Sequence, residues 1–122
     1  MKTLGKHLII ELFGVDQNLL NNSDKIEAAL TVAAEKSGAT VVAKKFTKFN
    51  PHGITGVVII AESHISIHTW PELRYAAVDI FTCGDKVNPW NAYDVIVDEL
   101  KPKNINVTEI SRGVFSLRGE VT

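Results

Sequence analysis

The alternation of apolar and polar positions along the chain predicts a series of short strands. In each strand-like stretch, apolar residues either alternate with polar ones or form a run of a few positions between turn residues. The predicted strands cover residues 6–13, 39–49, 54–61, 64–69, 76–83 and 104–111. These lengths are typical of a sheet in a small domain.

Two other segments have the spacing of amphipathic helices. Residues 23–36 have apolar side chains at helical spacing, with Ser23 as the expected N-cap and Gly38 just beyond the C-terminus. The second helix is expected to start at Asn88-Pro89, an N-cap followed by a proline that suits the first turn. Residues 16–22 are interpreted as a loop.

The resulting order, β-α-β-β-β-β-α-β, predicts the fold class. Two helices among six strands favour an α+β fold, a two-layer α/β sandwich in which an antiparallel sheet carries both helices on one face. The 122 residues correspond to a single domain, residues 1–122. The other face of the sheet needs a cover, and a second copy of the chain is the simplest one, so we expect a homodimer.

Composition excludes several classes of partner. The net charge is −1 and no basic stripe is present, so we expect no nucleic-acid or membrane-surface partner. No apolar stretch approaches the roughly 20 residues of a membrane span. The single cysteine, Cys83, rules out an internal disulfide framework and favours a cytoplasmic location.

The stretch AESHISIHTWPE, residues 61–72, holds the most unusual group of polar side chains. Its strand-like alternation separates His64 from His68 by roughly 13 Å, too far for shared ligation of one zinc ion. We therefore expect no metal site. A hydrolase using Ser63 and His68 is open, but no G-x-S-x-G elbow is present, and the pair could cooperate only across a turn or between subunits. The remaining interpretation is a strand whose polar face meets solvent or a polar interface.

Cys83 and Phe49 are further candidates, each with a structural alternative. A lone cysteine is commonly a small buried hydrophobe, but Cys83 ends a strand beside Gly84-Asp85, where a reactive group is accessible. Phe49 precedes the Asn50-Pro51 turn and can expose its ring. Trp70 and Trp90 are expected in the core or at an interface.

Two longer motifs resemble a known family. ESHISIHTWPE at 62–72, followed by YAAVDIFTCG at 75–84, resembles the short prokaryotic form of S-adenosylmethionine decarboxylase. GKH at 5–7, SGATVV at 37–42 and FNPHGITGVV at 49–58 extend the similarity to about residues 4–111.

The resemblance implies a proenzyme that cuts itself between Glu62 and Ser63. Ser63 Oγ would attack the carbonyl carbon of Glu62, and the resulting ester would eliminate to dehydroalanine, which hydrolyses to a pyruvoyl group and ammonia. The products would be a beta chain of residues 1–62 and an alpha chain of residues 63–122. His68 matches the family's processing base. Thr55 matches a second processing residue, where similar proteins usually have serine.

The resemblance also implies the chemistry of the mature enzyme. The pyruvoyl group would form a Schiff base with the amine of S-adenosylmethionine and act as an electron sink, and Cys83 would return a proton after decarboxylation. Phe49 would stack on the adenine and Glu72 would bind the ribose. In the family, Ser63 and Cys83 come from one subunit, while Phe49, Thr55, His68 and Glu72 come from the other. The product would supply spermidine synthesis.

Three alternatives are open at this point. Related pyruvoyl enzymes decarboxylate arginine or ornithine, and this chain departs from the usual pattern at Thr55 and at Leu73-Arg74. The chain could also be an unprocessed, non-catalytic binding homologue, or the hydrolase already described. His64 has no assigned role, and His7 and His52 are expected to be structural.

Overall fold

The structure, a computed structural model, describes residues 2–115. The elements follow one another as strand β1 (Lys2–Phe13), helices α1 (Gln17–Leu20) and α2 (Ser23–Lys36), strands β2 (Val41–Lys48), β3 (Ile54–Ile60) and β4 (Ser63–Trp70), a 3₁₀ turn (Pro71–Leu73), strand β5 (Tyr75–Cys83), helix α3 (Pro89–Leu100) and strand β6 (Asn104–Phe115). No helix within these residues is long and apolar enough to cross a membrane.

The strands form one antiparallel sheet in the order β2-β3-β4-β5-β1-β6. The first strand of the chain therefore lies between β5 and β6, which come from the second half. The predicted α+β fold class is confirmed.

The core lies between the sheet and the two long helices. Alternate side chains of the central strands, such as Leu8, Ile10 and Ile65, point to this side and are fully or almost fully buried. They form one cluster with helix residues that include Leu30 of α2 and Ile96 of α3. Burying each such side chain stabilises the fold by about 1.5–3 kcal/mol, so this layer accounts for most of the cohesion of the domain.

The opposite side of the sheet, called the open face here, is partly apolar and exposed. Ile9, Phe13, Ile59, Trp70 and Ile110 each expose between 39% and 45% of their surface. These residues alternate with the core residues along their strands. Several exposed apolar side chains on one face of a sheet are a feature of interaction sites.

Two local predictions were wrong. Residues 16–22 contain helix α1, where the Asp16 carboxylate accepts from the backbone N–H groups of Asn18 and Leu19 at 2.8 and 3.0 Å. The N-cap of α2 is Asn22, whose side-chain oxygen accepts from Lys25 N at 3.1 Å, and Ser23 is already helical. The strands and the second long helix occur where they were expected, although β1 and β6 are longer.

Candidate active site

The predicted site residues fall into two groups at opposite ends of β4. The cleavage group lies where β4 begins, and the base group lies where β4 ends. The first consists of Glu62, Ser63 and Cys83, and the second of Phe49, Thr55, His68 and Glu72. Ser63 and His68 are separated by about 16 Å along the strand. One copy of the chain therefore does not bring the two groups together.

The cleavage group surrounds a tight connection between strands. Ile60 pairs with Ser63, so Ala61 and Glu62 alone connect β3 to β4. Ser63 Oγ donates a hydrogen bond to Cys83 Sγ at 3.1 Å, and both residues are half-buried. Glu62 is exposed and lines a cleft of about 530 Å³ together with Cys83. The predicted cut site and the predicted proton donor are thus in direct contact.

Gly5 leaves the space that this contact requires. It pairs with Cys83 across β1 and β5. A Cβ at position 5 would lie 2.6 Å from the carbonyl oxygen of Thr82 and 3.1 Å from Cys83 Sγ. Any larger residue would therefore displace the strand that carries the thiol.

The base group is built around a hydrogen bond between paired strands. Thr55 and His68 are register partners, and Thr55 Oγ1 lies 2.9 Å from His68 Nδ1. If the histidine is to take a proton at Nε2, Nδ1 must carry the hydrogen and donate it to the threonine hydroxyl. The hydroxyl that the resemblance implies at position 55 is therefore present, and it contacts the histidine.

Phe49 is held by a turn that depends on glycine. Phe49 N donates to the Gly53 carbonyl oxygen at 2.8 Å, and Gly53 N donates to Asn21 Oδ1 at 3.0 Å. Gly53 has a φ of +104°, a conformation that disfavours residues with a Cβ. Half of the Phe49 surface, 51%, is exposed, as expected for a ring that receives a ligand.

Buried Thr69 connects this turn to helix α1. Its hydroxyl donates to the Leu20 carbonyl oxygen at 2.8 Å and accepts from Ile54 N at 2.9 Å. Helix α1, which was not predicted from the sequence, therefore supports the base group through Thr69.

Two residues join the base group that sequence reasoning did not place there. His52 Nδ1 lies 3.3 Å from Glu72 Oε1, and His52 and Trp70 line a cleft of about 330 Å³ with the four predicted residues. His52 was expected to be structural, and Trp70 to lie in the core or at an interface. The turn sequence Asn50-Pro51-His52-Gly53 was the available signal, because it places His52 beside Phe49.

Tyr75 supports Trp70 from the neighbouring strand. Its ring stacks between Phe13 and Trp70, with centroid distances of 5.4 and 5.3 Å, and its hydroxyl donates to Glu11 Oε1 at 2.6 Å. Burial, the hydrogen bond to Glu11 and the negative charges of Glu11 and Asp79 raise the pKa of Tyr75 to about 12. The phenol is therefore a fixed hydrogen-bond donor at neutral pH.

The remaining histidines of the open face lie outside both groups. His7 Nε2 is 2.9 Å from Asp79 Oδ1, and the rings of His7 and His64 flank Phe81. Within residues 2–115, no three histidine, cysteine or acidic side chains converge as metal ligands would. A larger cleft of about 650 Å³, beside Trp90, contains none of the predicted site residues.

Comparisons with known proteins agree with the fold and with the motifs. Residues 6–113 match the family model described as S-adenosylmethionine decarboxylase. A protein of Clostridium kluyveri named S-adenosylmethionine decarboxylase proenzyme is 52% identical over 121 residues, 99% of this chain and 96% of its own length. A proenzyme of the same name from Clostridium tetani is 53% identical over 115 residues, 94% of this chain and 91% of its own length.

A solved structure gives the same result. The crystal structure of the adenosylmethionine decarboxylase from Aquifex aeolicus superposes with a TM-score of 0.90 at 41% identity, covering 96% of this chain and 97% of that one. The antiparallel sheet with helices on one face and the motifs together place the chain in the class of decarboxylase proenzymes. The chain belongs to the S-adenosylmethionine decarboxylase family.

Proposed function

We propose that this chain is a proenzyme that cuts itself between Glu62 and Ser63 and then decarboxylates S-adenosylmethionine. The observation that carries the proposal is the 3.1 Å hydrogen bond from Ser63 Oγ to Cys83 Sγ at the two-residue connection. It brings the proposed nucleophile and a thiol together at the bond that we propose as the cut. The product would be the aminopropyl donor for spermidine synthesis.

Cleavage requires a hydroxyl and a base. Attack of Ser63 Oγ on the Glu62 carbonyl carbon converts the amide to an ester. Removal of the Ser63 α-hydrogen then expels the Glu62 carboxylate. His68 of the partner copy is the proposed base for that second step, with Thr55 holding its Nδ1 so that Nε2 is free to take the proton.

The residues around position 63 fit the pyruvoyl group that would form there. Ser63 is half-buried beside the thiol, at the new N-terminus that the cut would create. When present, the pyruvoyl carbonyl supplies the electron sink that decarboxylation requires. Cys83 is the proposed proton donor to the α-carbon, because a thiol can hold and deliver a proton near neutral pH. Its free thiol suits the reducing cytoplasm, where we place the enzyme.

The base group would bind the substrate. The exposed Phe49 ring offers a face for adenine and for the sulfonium charge. Glu72 offers a carboxylate to the ribose hydroxyls, and His52 orients it from 3.3 Å.

A homodimer would complete the site. The two groups lie about 16 Å apart on one copy, further than any side chain can bridge. If a second copy covers the open face, the cleavage group of each copy can meet the base group of the other.

Intact mass under denaturing conditions tests the cleavage. The 13.4 kDa chain should split at residue 63, and the C-terminal fragment should carry a ketone that borohydride traps with an amine. Ser63→Ala should stay whole, whereas Ser66→Ala on the same strand should split. An uncut wild-type chain after long incubation would overturn the proposal.

Release of CO₂ tests the substrate. The cleaved protein should decarboxylate S-adenosylmethionine and neither arginine nor ornithine. Phe49→Ala should raise KM more than it lowers kcat, since the ring contacts a remote part of the substrate. Turnover of arginine or ornithine instead would reassign the substrate while leaving the self-cleavage intact.

A further inference from the structure

We propose that His52 makes substrate binding at the base group depend on pH. In its protonated form the imidazole would compete with the ribose hydroxyls for the Glu72 carboxylate, and in its neutral form it would leave that carboxylate oriented and available. His52 would thus be a positioning residue that acts through Glu72. The inference rests on the proposed function, because that function assigns the ribose to Glu72.

The pair is an isolated contact between two polar side chains. His52 Nδ1 lies 3.3 Å from Glu72 Oε1, and the two side chains expose 38% and 46% of their surface. Within residues 2–115, neither side chain makes another hydrogen bond or ion pair. A separation of 3.3 Å is longer than most N–H···O hydrogen bonds, so the attraction depends mainly on the charge of the imidazole. Protonation of His52 therefore strengthens its hold on the carboxylate.

Hydrogen-bonded turns carry both side chains. His52 lies in the turn between β2 and β3, where Gly53 N donates to Asn21 Oδ1 at 3.0 Å. Glu72 lies in the 3₁₀ turn Pro71–Leu73, which is closed by a backbone hydrogen bond of 3.1 Å. Because both backbones are anchored to the sheet, the property that can change at this contact is the charge of the imidazole.

The chemistry of the carboxylate determines the direction of the effect. An ionised carboxylate can only accept hydrogen bonds, so the ribose hydroxyls and a protonated His52 would be rival donors to Glu72. Protonation strengthens the rival, because it adds a full charge to the donor. It also puts a positive charge beside a cleft that we propose receives a sulfonium cation. Substrate affinity should therefore be highest with neutral His52 and should fall with pH between about 8 and 5, the range in which histidine changes charge.

The other titratable groups of the cleft do not replace His52 in this role. The described residues that line the cleft of about 330 Å³ include no lysine or arginine, so no permanent cation of the cleft pairs with Glu72. The second histidine of the cleft, His68, is engaged in the hydrogen bond of the base group. In the proposed dimer, Glu62 and Cys83 of the second copy would also approach. All these groups are common to the variants compared below, so a difference between variants reports on His52.

Binding of adenosine at two pH values tests the proposal. Adenosine presents the ribose hydroxyls without a sulfonium or a reacting group, so it measures the competition for Glu72 alone. Between about pH 8 and about pH 5.5, the affinity of the wild-type protein should fall about two- to fivefold more than that of His52→Gln, the factor expected of an exposed ion pair. Titration calorimetry of each protein supplies the dissociation constants.

A permanently charged side chain at position 52 is the matched control. His52→Lys carries its charge at both pH values and should bind adenosine weakly at both. His52→Gln is uncharged throughout and should bind as tightly as wild type at about pH 8. Both substitutions replace a partly exposed side chain in a turn, so neither should disturb the fold, which circular dichroism checks.

Proton release on binding separates this role from a merely structural one. If tight binding requires neutral His52, adenosine must release protons from the wild-type protein at about pH 6.5, and fewer from His52→Gln. Calorimetry in two buffers that differ in ionisation enthalpy counts these protons. A structural role alone would lower the affinity of the variant equally at both pH values and would move no protons.

The outcomes separate the inference from the proposed function. Equal pH dependence in wild type and His52→Gln would overturn the inference, as would tighter binding by His52→Lys than by His52→Gln, and both results would leave the proposed function standing. Absence of adenosine binding at about pH 8 would overturn the inference together with the assigned substrate. A protein that shows the expected pH dependence but neither cuts itself nor releases CO₂ would support the inference and refute the proposed enzyme.

Discussion

At the scale of single residues, the contact between Thr55 Oγ1 and His68 Nδ1 determines how the proposed base is oriented. The hydroxyl can accept a hydrogen bond from Nδ1, the arrangement that leaves Nε2 available, and the paired strands hold the ring in place. The methyl group of threonine adds bulk but removes none of this hydrogen bonding.

Thr55→Val should slow self-cleavage by about tenfold or more, because the base loses its hydrogen-bond partner at Nδ1. Thr55→Ser retains the hydroxyl and should cut at close to the wild-type rate. The appearance of the two fragments over time, followed by mass spectrometry, provides the rates. Equal rates for the valine and serine variants would show that the hydroxyl has no part in processing.

Gly5 is a second residue on which the site depends. Gly5→Ala should destabilise the fold by about 1–3 kcal/mol, because the added Cβ meets backbone only 2.6 Å away. It should also slow cleavage by displacing the strand that carries Cys83. Urea unfolding and fragment formation measure the two effects. Wild-type stability in the alanine variant would contradict the close approach of these strands.

Tyr75 makes the free energy of unfolding depend on pH in the alkaline range. The phenol stays protonated in the folded chain up to a pKa of about 12, against 10.0 in the ordinary case. The folded state then holds a proton that the unfolded state loses, so this contribution is complete below pH 10 and is lost as pH rises through 12. Tyr75→Phe keeps the stacked ring and should reduce the fall in unfolding free energy over this range. Parallel pH profiles for wild type and variant would refute the coupling.

At the scale of elements, the 3₁₀ turn between β4 and β5 is followed by a residue with an unfavourable backbone conformation. Arg74 has a φ of +52°, and its backbone groups bond to Pro71 O and Val15 N, which fixes that conformation. Side chains with a Cβ are strained in this left-handed region.

Arg74→Gly should therefore stabilise the chain by about 1 kcal/mol. Arg74→Ala is the matched control, because it removes the charge but keeps the Cβ and should gain little. Urea midpoints at constant slope distinguish the two. A gain in the alanine variant equal to that in the glycine variant would assign the effect to charge.

The elements differ in how well their sequences reveal them. Alternation predicted the strands, and Asn88-Pro89 marked the start of α3, because these signals lie within a few neighbouring residues. Helix α1 was missed because four residues are too few to show a helical period, and its Asp16 cap resembles a turn signal. The contacts of His52 and Trp70 with the base group depend on strand pairing across the sheet, which local patterns do not contain.

At the scale of the whole molecule, the division of the site between two copies can be tested by complementation. Ser63→Ala and His68→Ala should each fail to cut when expressed alone. Co-expressed, they should form mixed dimers in which one site has both Ser63 and His68. Only the His68→Ala chain should then be cut, because it alone retains the serine at the junction. Cleavage of no chain at all would contradict a shared site.

The strand order has a consequence for what self-cleavage would leave behind. Residues 1–62 hold β1, β2 and β3, whereas β1 lies between β5 and β6 of the second fragment. The two fragments would be interlocked, and neither could leave without opening the sheet. Once denatured, the mature protein would have to reassemble from two separate chains, so that a fold the precursor reaches within a single chain would become a bimolecular reaction. Only the uncut precursor could then fold as a single chain, and the mature enzyme could not be expected to refold as readily as the precursor folds.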